Sequence, residues 1–241
     1  MKPRVCGRSA MRTFGFVFAR GGSKGVPGKN IRDLAGKPLL AHALHVASQV
    51  TEIERVFVST DSSDIADVAE HFGATTVQRP PELAQDDSPE WLAWRHATNW
   101  VRTEVGNFQR FVSLPATAPL RIAQDVTQCL NMLDTNTDVV LTMTPAQRSP
   151  WFNMVKADAS GCLSLLVEGD EILRRQDAPV GYDLTTVAYV VRPEFILKKE
   201  RIWDGRVRGV VVPQERAIDI DTELDFVVAD FLMRKRQANE S

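Results

Sequence analysis

The sequence is poor in cysteine, in tyrosine and in net charge. Its 241 residues include three cysteines, Cys6, Cys129 and Cys162, odd in number and far apart, with no C-x-x-C pair. That argues against a disulfide framework and against a structural zinc site, and scattered thiols suit a cytoplasmic protein. A formal net charge of −2 leaves no broad basic field to draw in nucleic acid or an anionic membrane, so any affinity for anions has to be local. Two tyrosines among five tryptophans and eleven phenylalanines show no spacing suited to base stacking. The apolar runs are strand-sized, too short for a membrane-spanning helix. The opening "MKPRVCGRSAMRTF" lacks the apolar stretch of a signal peptide. Residues 1–13 read as an N-terminal extension expected to be disordered, with Met11 as an alternative start. No internal repeat or low-complexity tract appears, and residues 14–241 are of a size for one domain.

Strand-like runs recur: "FGFVFA" (14–19), "RVFVST" (55–60), "RFVSLPA" (110–116), "DVVLTM" (138–143), "TVAYVV" (186–191) and "GVVVP" (209–213). The first four are almost continuously apolar, as central strands covered on both faces should be. Helical patterns separate them. Residues 38–50 open on a proline at the expected first helical position. Residues 61–73 start at an Asp cap and stop at Gly73, and residues 88–105 start at Ser88. A fourth pattern covers 123–134. This alternation predicts a doubly wound, mostly parallel α/β sheet. Residues about 145–185 break the rhythm and read as an inserted arm.

The densest chemistry follows the first strand. In "ARGGSKGVPGKN" (19–30), Gly21, Gly22, Gly25 and Gly28 allow backbone N–H groups to converge. Arg20, Lys24 and Lys29 add cations suited to phosphate oxygens. The loop leaves the carboxyl end of a strand, where open α/β sheets bind ligands. Neither the P-loop spacing nor G-x-G-x-x-G can be threaded through it. A solvated glycine turn is the bland alternative.

A triphosphate calls for a divalent cation held by one or two carboxylates. "AIDIDTELD" (217–225) supplies Asp219 and Asp221 two residues apart, on one side if the run is extended. Thr222 then caps a helix, with Asp225 three residues on. Simple helix capping by either aspartate is the alternative to a Mg2+ site. Asp86 and Asp87 form a second acidic pair, read as complementing a helix dipole.

Together the basic loop, "RPPELAQDDSP" (79–89) and "AIDIDTELD" resemble the acylneuraminate cytidylyltransferase family, the CMP-sialic acid synthetases, from about Phe14 to Leu232. "GKNIRDLAGKPLLAHAL" and "VFVSTDSSDIADVAEHFGA" are also similar to the family pattern. The resemblance implies a Rossmann-like cytidylyltransferase domain over 14–241. It also implies a homodimer built through an arm at about 145–185, and Mg2+ as cofactor. The implied reaction joins CTP to a nonulosonic acid sugar, its anomeric hydroxyl attacking the α-phosphate and pyrophosphate leaving. By the same resemblance Arg20, Gly21, Gly22, Ser23, Lys24, Lys29 and Asn30 hold the nucleotide. Arg79 lies on its pyrimidine side, and Asp219 and Asp221 bind the metal. Arg20, Lys24 and Asp221 are assigned to catalysis.

Departures fall on the sugar side. Where the family carries a glutamine, this chain has Pro115 in "LPATAPLR", and Thr185-Thr186 stand where Asn-Gly is usual. These imply an altered acceptor, such as legionaminic or pseudaminic acid. Arg175 matches a family arginine near the acceptor, or serves a surface ion pair. Tyr182 fits an acceptor wall or ordinary core packing. The alternatives are an inactive CTP-binding regulatory module, kept open by Pro115, and a cytidylyltransferase for the eight-carbon sugar Kdo.

Overall fold

Alternate residues of the first strand serve two different cores. In a computed structural model that describes residues 11–22, 25–168, 172 and 174–240, β1 (Thr13–Phe18) turns Phe14 and Phe16 to one side and Val17 to the other, all at or near full burial. Both sides being covered explains why the run carries no polar alternation.

Chain order gives β1, β2 (Asp33–Leu34), β3 (Lys37–Pro38), α1 (Leu39–Gln49), β4 (Ile53–Thr60), α2 (Ser63–His71) and β5 (Thr75–Gln78). Then come α3 (Glu90–Glu104), β6 (Arg110–Ser113), α4 (Ala123–Met132) and β7 (Val139–Pro145). The last third holds β8 (Val155–Ala157), β9 (Leu163–Leu165), β10 (Tyr182–Val191), α5 (Pro193–Lys198), β11 (Val207–Val211) and α6 (Glu223–Glu240). Seven strands form the central sheet in the order β11-β7-β10-β6-β1-β4-β5. All neighbours run parallel except β10, which is antiparallel to both β6 and β7. The doubly wound, mostly parallel expectation holds, and one reversed strand sits near the middle of the sheet.

Helices α1, α2 and α4 cover one face through Leu40, Ile65, Val126 and their neighbours. On the other face α3 lays Trp91, Trp94, Ala97 and Val101 over Phe14, Phe16, Phe57 and Phe111. The rings of Phe16 and Phe111 stack at 4.2 Å. A third cluster joins Val26 of the glycine loop to Ile220 and Phe226, fastening the start of α6 against the mouth of the sheet.

Several helix starts differ by a residue or two from the expected ones. Pro38 caps α1 from outside rather than occupying its first turn. Ser62 caps α2, its Oγ accepting from the Ile65 N–H at 3.5 Å, because Asp61 is used elsewhere. α3 opens at Glu90 after Pro89, and the Ser88 hydroxyl donates to the Glu82 carbonyl instead of capping. Gly73 does follow the end of α2, with φ of 81°. The Thr222–Asp225 pairing at α6 forms as expected. Thr222 N–H donates to Asp225 Oδ2 at 2.7 Å, and Asp225 N–H to Thr222 Oγ1 at 3.3 Å.

The irregular span holds a short antiparallel hairpin, β8 with β9. It leaves Val155, Leu163, Leu165 and Leu166 exposed. The strand read at 186–191 begins earlier, at Tyr182, so the arm feeds directly into β10. At the other end, β1 opens at Thr13, and the Arg12 N–H already bonds Gln109 Oε1 at 2.8 Å. Residues 1–10 lie outside the described residues. Among the described residues no helix is long and apolar enough to cross a membrane.

Candidate functional site

The glycine loop and the acidic segment touch backbone to backbone. A Cβ on Gly25 would stand 2.1 Å from the carbonyl oxygen of Asp221, a separation no side chain tolerates. Glycine is therefore fixed here by close approach. Gly28 then turns the chain at φ of 65°, into the single helical turn Lys29–Ile31. That turn points the Lys29 ammonium back across the gap. Its Nζ donates to the Ile220 carbonyl at 2.6 Å and stands 3.5 Å from Asp221 Oδ1. Asn30 is buried, with Nδ2 donating to the Arg20 carbonyl at 3.0 Å, which ties the two ends of the loop together. Ser23 and Lys24 lie outside the described residues.

Two loop positions are committed in ways the composition did not reveal. Arg20 Nη1 pairs with Asp86 Oδ1 at 2.6 Å and donates to the Ala84 carbonyl at 3.2 Å. Asp86 is thus an anchor for a loop cation rather than a dipole acid. The Gly21 N–H donates to Asp61 Oδ1 at 3.0 Å, so it braces the loop against the end of β4 instead of joining a shared anion nest. Gly22 is exposed, and among the described residues nothing lies within 4 Å of where its Cβ would stand.

Two adjoining cavities open at this end of the sheet. The first, about 270 Å³, is walled by Gly25, Lys29, Asn30 and Asp221. The second, about 290 Å³, is walled by Arg79, Asp86, Glu90, Pro115, Thr186 and Tyr189. Phe18, Arg20 and Thr117 belong to both, which makes them the partition between the two spaces.

Arg79 is buried below this partition. Its Nε donates to Ser59 Oγ at 3.1 Å and its Nη2 to the Ser59 carbonyl at 2.6 Å, with the guanidinium 5.6 Å from the Phe18 ring centre. Burial lowers its pKa, and the carboxylates of Asp61 and Glu90 oppose that shift. Glu90 accepts from Trp94 Nε1–H at 2.9 Å. It keeps solvent-accessible area because it lines the cavity, yet protein crowds its carboxyl. That desolvation raises its pKa, against the bond from Trp94 and the charge of Arg79. Tyr189 is pushed up to about 12, first by burial and then by the charges of Glu90 and Asp219.

The acidic pair does not sit on a strand face. Residues 217–221 are irregular, and Ile220 between them is buried with its N–H on the Thr117 carbonyl at 2.9 Å. Asp221 is 75% exposed in its side chain and walls the first cavity. Asp219 turns inward, where its Oδ1 is buried with no hydrogen-bond partner among the described residues. Its charge is felt by Glu90, Tyr189 and Arg121. Among the described residues no group of three or more His, Cys, Asp or Glu is placed to hold a metal. The oxygen set on offer is therefore these two carboxylates, one of them unsatisfied. That suits a hard divalent cation which takes its remaining ligands from water and phosphate.

Arg175 and Tyr182 are not brought to these cavities. Arg175 is exposed on the arm and donates to the Gln147 carbonyl. Tyr182 is 46% exposed at the start of β10, so it is not core packing. Thr186 and Tyr189, further along the same strand, line the second cavity instead. The sequence alone assigns no role to Glu90 or Thr117, both of which line the second cavity. Asp61 carried a real signal, since it follows a strand directly, but it was read as a cap.

A family model described as cytidylyltransferase matches residues 14–192. The chain is 31% identical to the CMP-N,N'-diacetyllegionaminic acid synthase of Campylobacter jejuni subsp. jejuni, over 90% of this chain and 93% of that protein. It is 27% identical to the N-acylneuraminate cytidylyltransferase of Streptococcus agalactiae, over 90% of this chain and 52% of that protein, so it spans about half that relative's length. Among solved structures, a CMP:2-keto-3-deoxy-manno-octonic acid synthetase complexed with CTP superposes with a TM-score of 0.71. That match has 16% identity and covers 93% of this chain and 99% of that one. At that identity it speaks for the architecture alone.

Proposed function

The chain belongs to the cytidylyltransferase family, and from that premise we propose that it joins CTP to a nonulosonic acid sugar and releases pyrophosphate. One observation carries the reading: the basic glycine loop is packed directly against Asp221, and Lys29 and Asp221 wall one cavity between them. Cations and carboxylates facing one space is what a metal-bound triphosphate needs. Asp219 and Asp221 would hold a divalent cation, Mg2+ in our reading, which when bound neutralises phosphate charge.

In this reading the chain's own groups mostly position. Lys29, braced by the Ile220 carbonyl, and Arg20, braced by Asp86 and Ala84, present cations to the phosphates. Lys24, Gly22 and Ser23 complete the loop's share, Gly21 braces it on Asp61, and Asn30 holds the loop closed on itself. Arg79, fixed by Ser59, faces the pyrimidine, and the acceptor lies toward Pro115 and Thr186. The acceptor's anomeric oxygen forms the new bond to the α-phosphorus while the bond to the pyrophosphate oxygen breaks. Such a displacement depends chiefly on alignment and charge.

Pro115 offers the acceptor no side-chain donor, which favours a relative of N-acetylneuraminate such as legionaminic or pseudaminic acid over that sugar itself. Pyrophosphate release from CTP and Mg2+ with a panel of nonulosonic acids tests this. Turnover is expected with at least one of them and not with Kdo. Folded protein that releases pyrophosphate with none would sink the assignment.

Arg175 and Tyr182 can serve the acceptor only if the arm reaches a second copy of the chain, and the apolar residues the hairpin exposes favour such a homodimer. Sedimentation at micromolar concentration should show a dimer. A monomer at that concentration would remove both residues from the site.

A further inference from the structure

On the far side of Arg121 lies a third cavity, of about 290 Å³, that the nucleotide reading does not use. It is bounded by α1, α6, the β2–β3 ribbon and the segment 119–122. Its charged lining is cationic. Lys37, Arg121 and Arg236 face it along with His42 and His45, and none of its described lining residues is Asp or Glu.

Arg121 is the unusual member. It is 1% exposed, yet its Nε and Nη1 are buried with no hydrogen-bond partner among the described residues. Only Nη2 is used, donating to the carbonyls of Pro115 and Thr186. The neighbouring carboxylate, Asp125, is spent on Arg216, which holds it through two bonds of 2.9 and 3.1 Å. Asp219, the other carboxylate whose charge reaches Arg121, forms no ion pair with it within 4.0 Å among the described residues. A buried guanidinium with two idle donors costs stability until something accepts from them. Arg236 also keeps donors in hand, since the bond the structure gives it runs from Nη2 to the Leu120 carbonyl at 2.7 Å.

We propose that this rear cavity binds a phosphate group, with Arg121 at its floor and Lys37 and Arg236 at its sides. Three cations without a carboxylate favour a multiply charged anion over a single carboxylate. The volume equals about ten waters at roughly 30 Å³ each, room for a phosphate monoester. The site is also coupled to the front one. The guanidinium that would accept the anion holds in place Pro115 and Thr186, two walls of the cavity assigned to the acceptor.

Titration calorimetry with inorganic phosphate and with glycerol 3-phosphate tests the proposal on the full chain. Wild type should bind at least one of them, and Arg20→Gln, which alters the front cavity, should bind it equally well. Lys37→Gln and the double variant Lys37→Gln/Arg236→Gln should weaken it tenfold or more. The exposed Lys37 serves as the substitution least able to disturb folding. Tighter binding of the ester would assign an organic phosphate, and equal binding the free ion. No binding by wild type at millimolar concentration, unaltered binding in Lys37→Gln, or loss in Arg20→Gln would each overturn it.

Discussion

Asp221→Ala should lower CTP-dependent turnover by at least about 10²-fold, the scale of loss when one preorganised electrostatic group is removed from an active site. The side chain is 75% exposed, and its ion pair with Lys29 is long at 3.5 Å. Exposed pairs of that kind contribute about 0–1 kcal/mol, so the melting temperature should hardly move. Lys29 would keep its bond to the Ile220 carbonyl and stay in place. The loss would then reflect the missing carboxylate alone. Chelation of divalent cations from wild type should cause a loss of the same order. Turnover within a few-fold of wild type, in folded Asp221→Ala, would remove this residue from the metal assignment.

A comparable loss is expected from the smallest possible change in the glycine loop. Gly25→Ala places a methyl group where the Asp221 carbonyl oxygen now lies, 2.1 Å from the ideal Cβ position. Backbone cannot yield as a flexible side chain would, so the loop and the acidic segment must separate by an ångström or more. Misplacement on that scale costs about 10²-fold in reactions that depend on alignment. Gly22→Ala is the matched control, because no atom of the described residues lies within 4 Å of its Cβ position, and its effect should stay within a few-fold. Pyrophosphate release at saturating CTP, with thermal melts of all three proteins, separates the outcomes. Equal turnover in the two alanine variants would mean that the contact between loop and acidic segment is incidental.

What could be read from the residues depended on what each signal encodes. Strand positions were plain, because burial on both faces writes an unbroken apolar run, as in Thr13–Phe18. Strand direction leaves no such mark. "TVAYVV" would read the same in either sense, so the reversal of β10 was not legible. Its true start at Tyr182 was hidden because Tyr182, Asp183 and Leu184 are exposed on the arm side, where no core imposes a pattern. Within the candidate site, the composition of the loop announced phosphate, but not which donors were already in use. Asp61 takes the Gly21 N–H and Asp86 takes Arg20, and both contacts bridge 40 or more positions of sequence. Spacing singles out Asp219 and Asp221, although residues 217–221 are irregular and not the strand that the spacing supposes. Glu90 remained unseen because an acid in the first turn of a helix already has a sufficient local explanation.

The meeting of Gly25 with Asp221 also sets an order of events while the protein is being made. Almost 200 residues separate them. At roughly 5–20 residues per second, the loop emerges some 10–40 s before the segment that must close against it. Strands β6, β1, β4 and β5 can begin to pair in that interval, since they and their covering helices all precede residue 146, whereas β7 waits for β10. A nascent chain halted before Ile220 would therefore carry all seven strands of the sheet and a complete glycine loop, yet have no pocket for CTP. Nucleotide capture becomes a property of the finished chain.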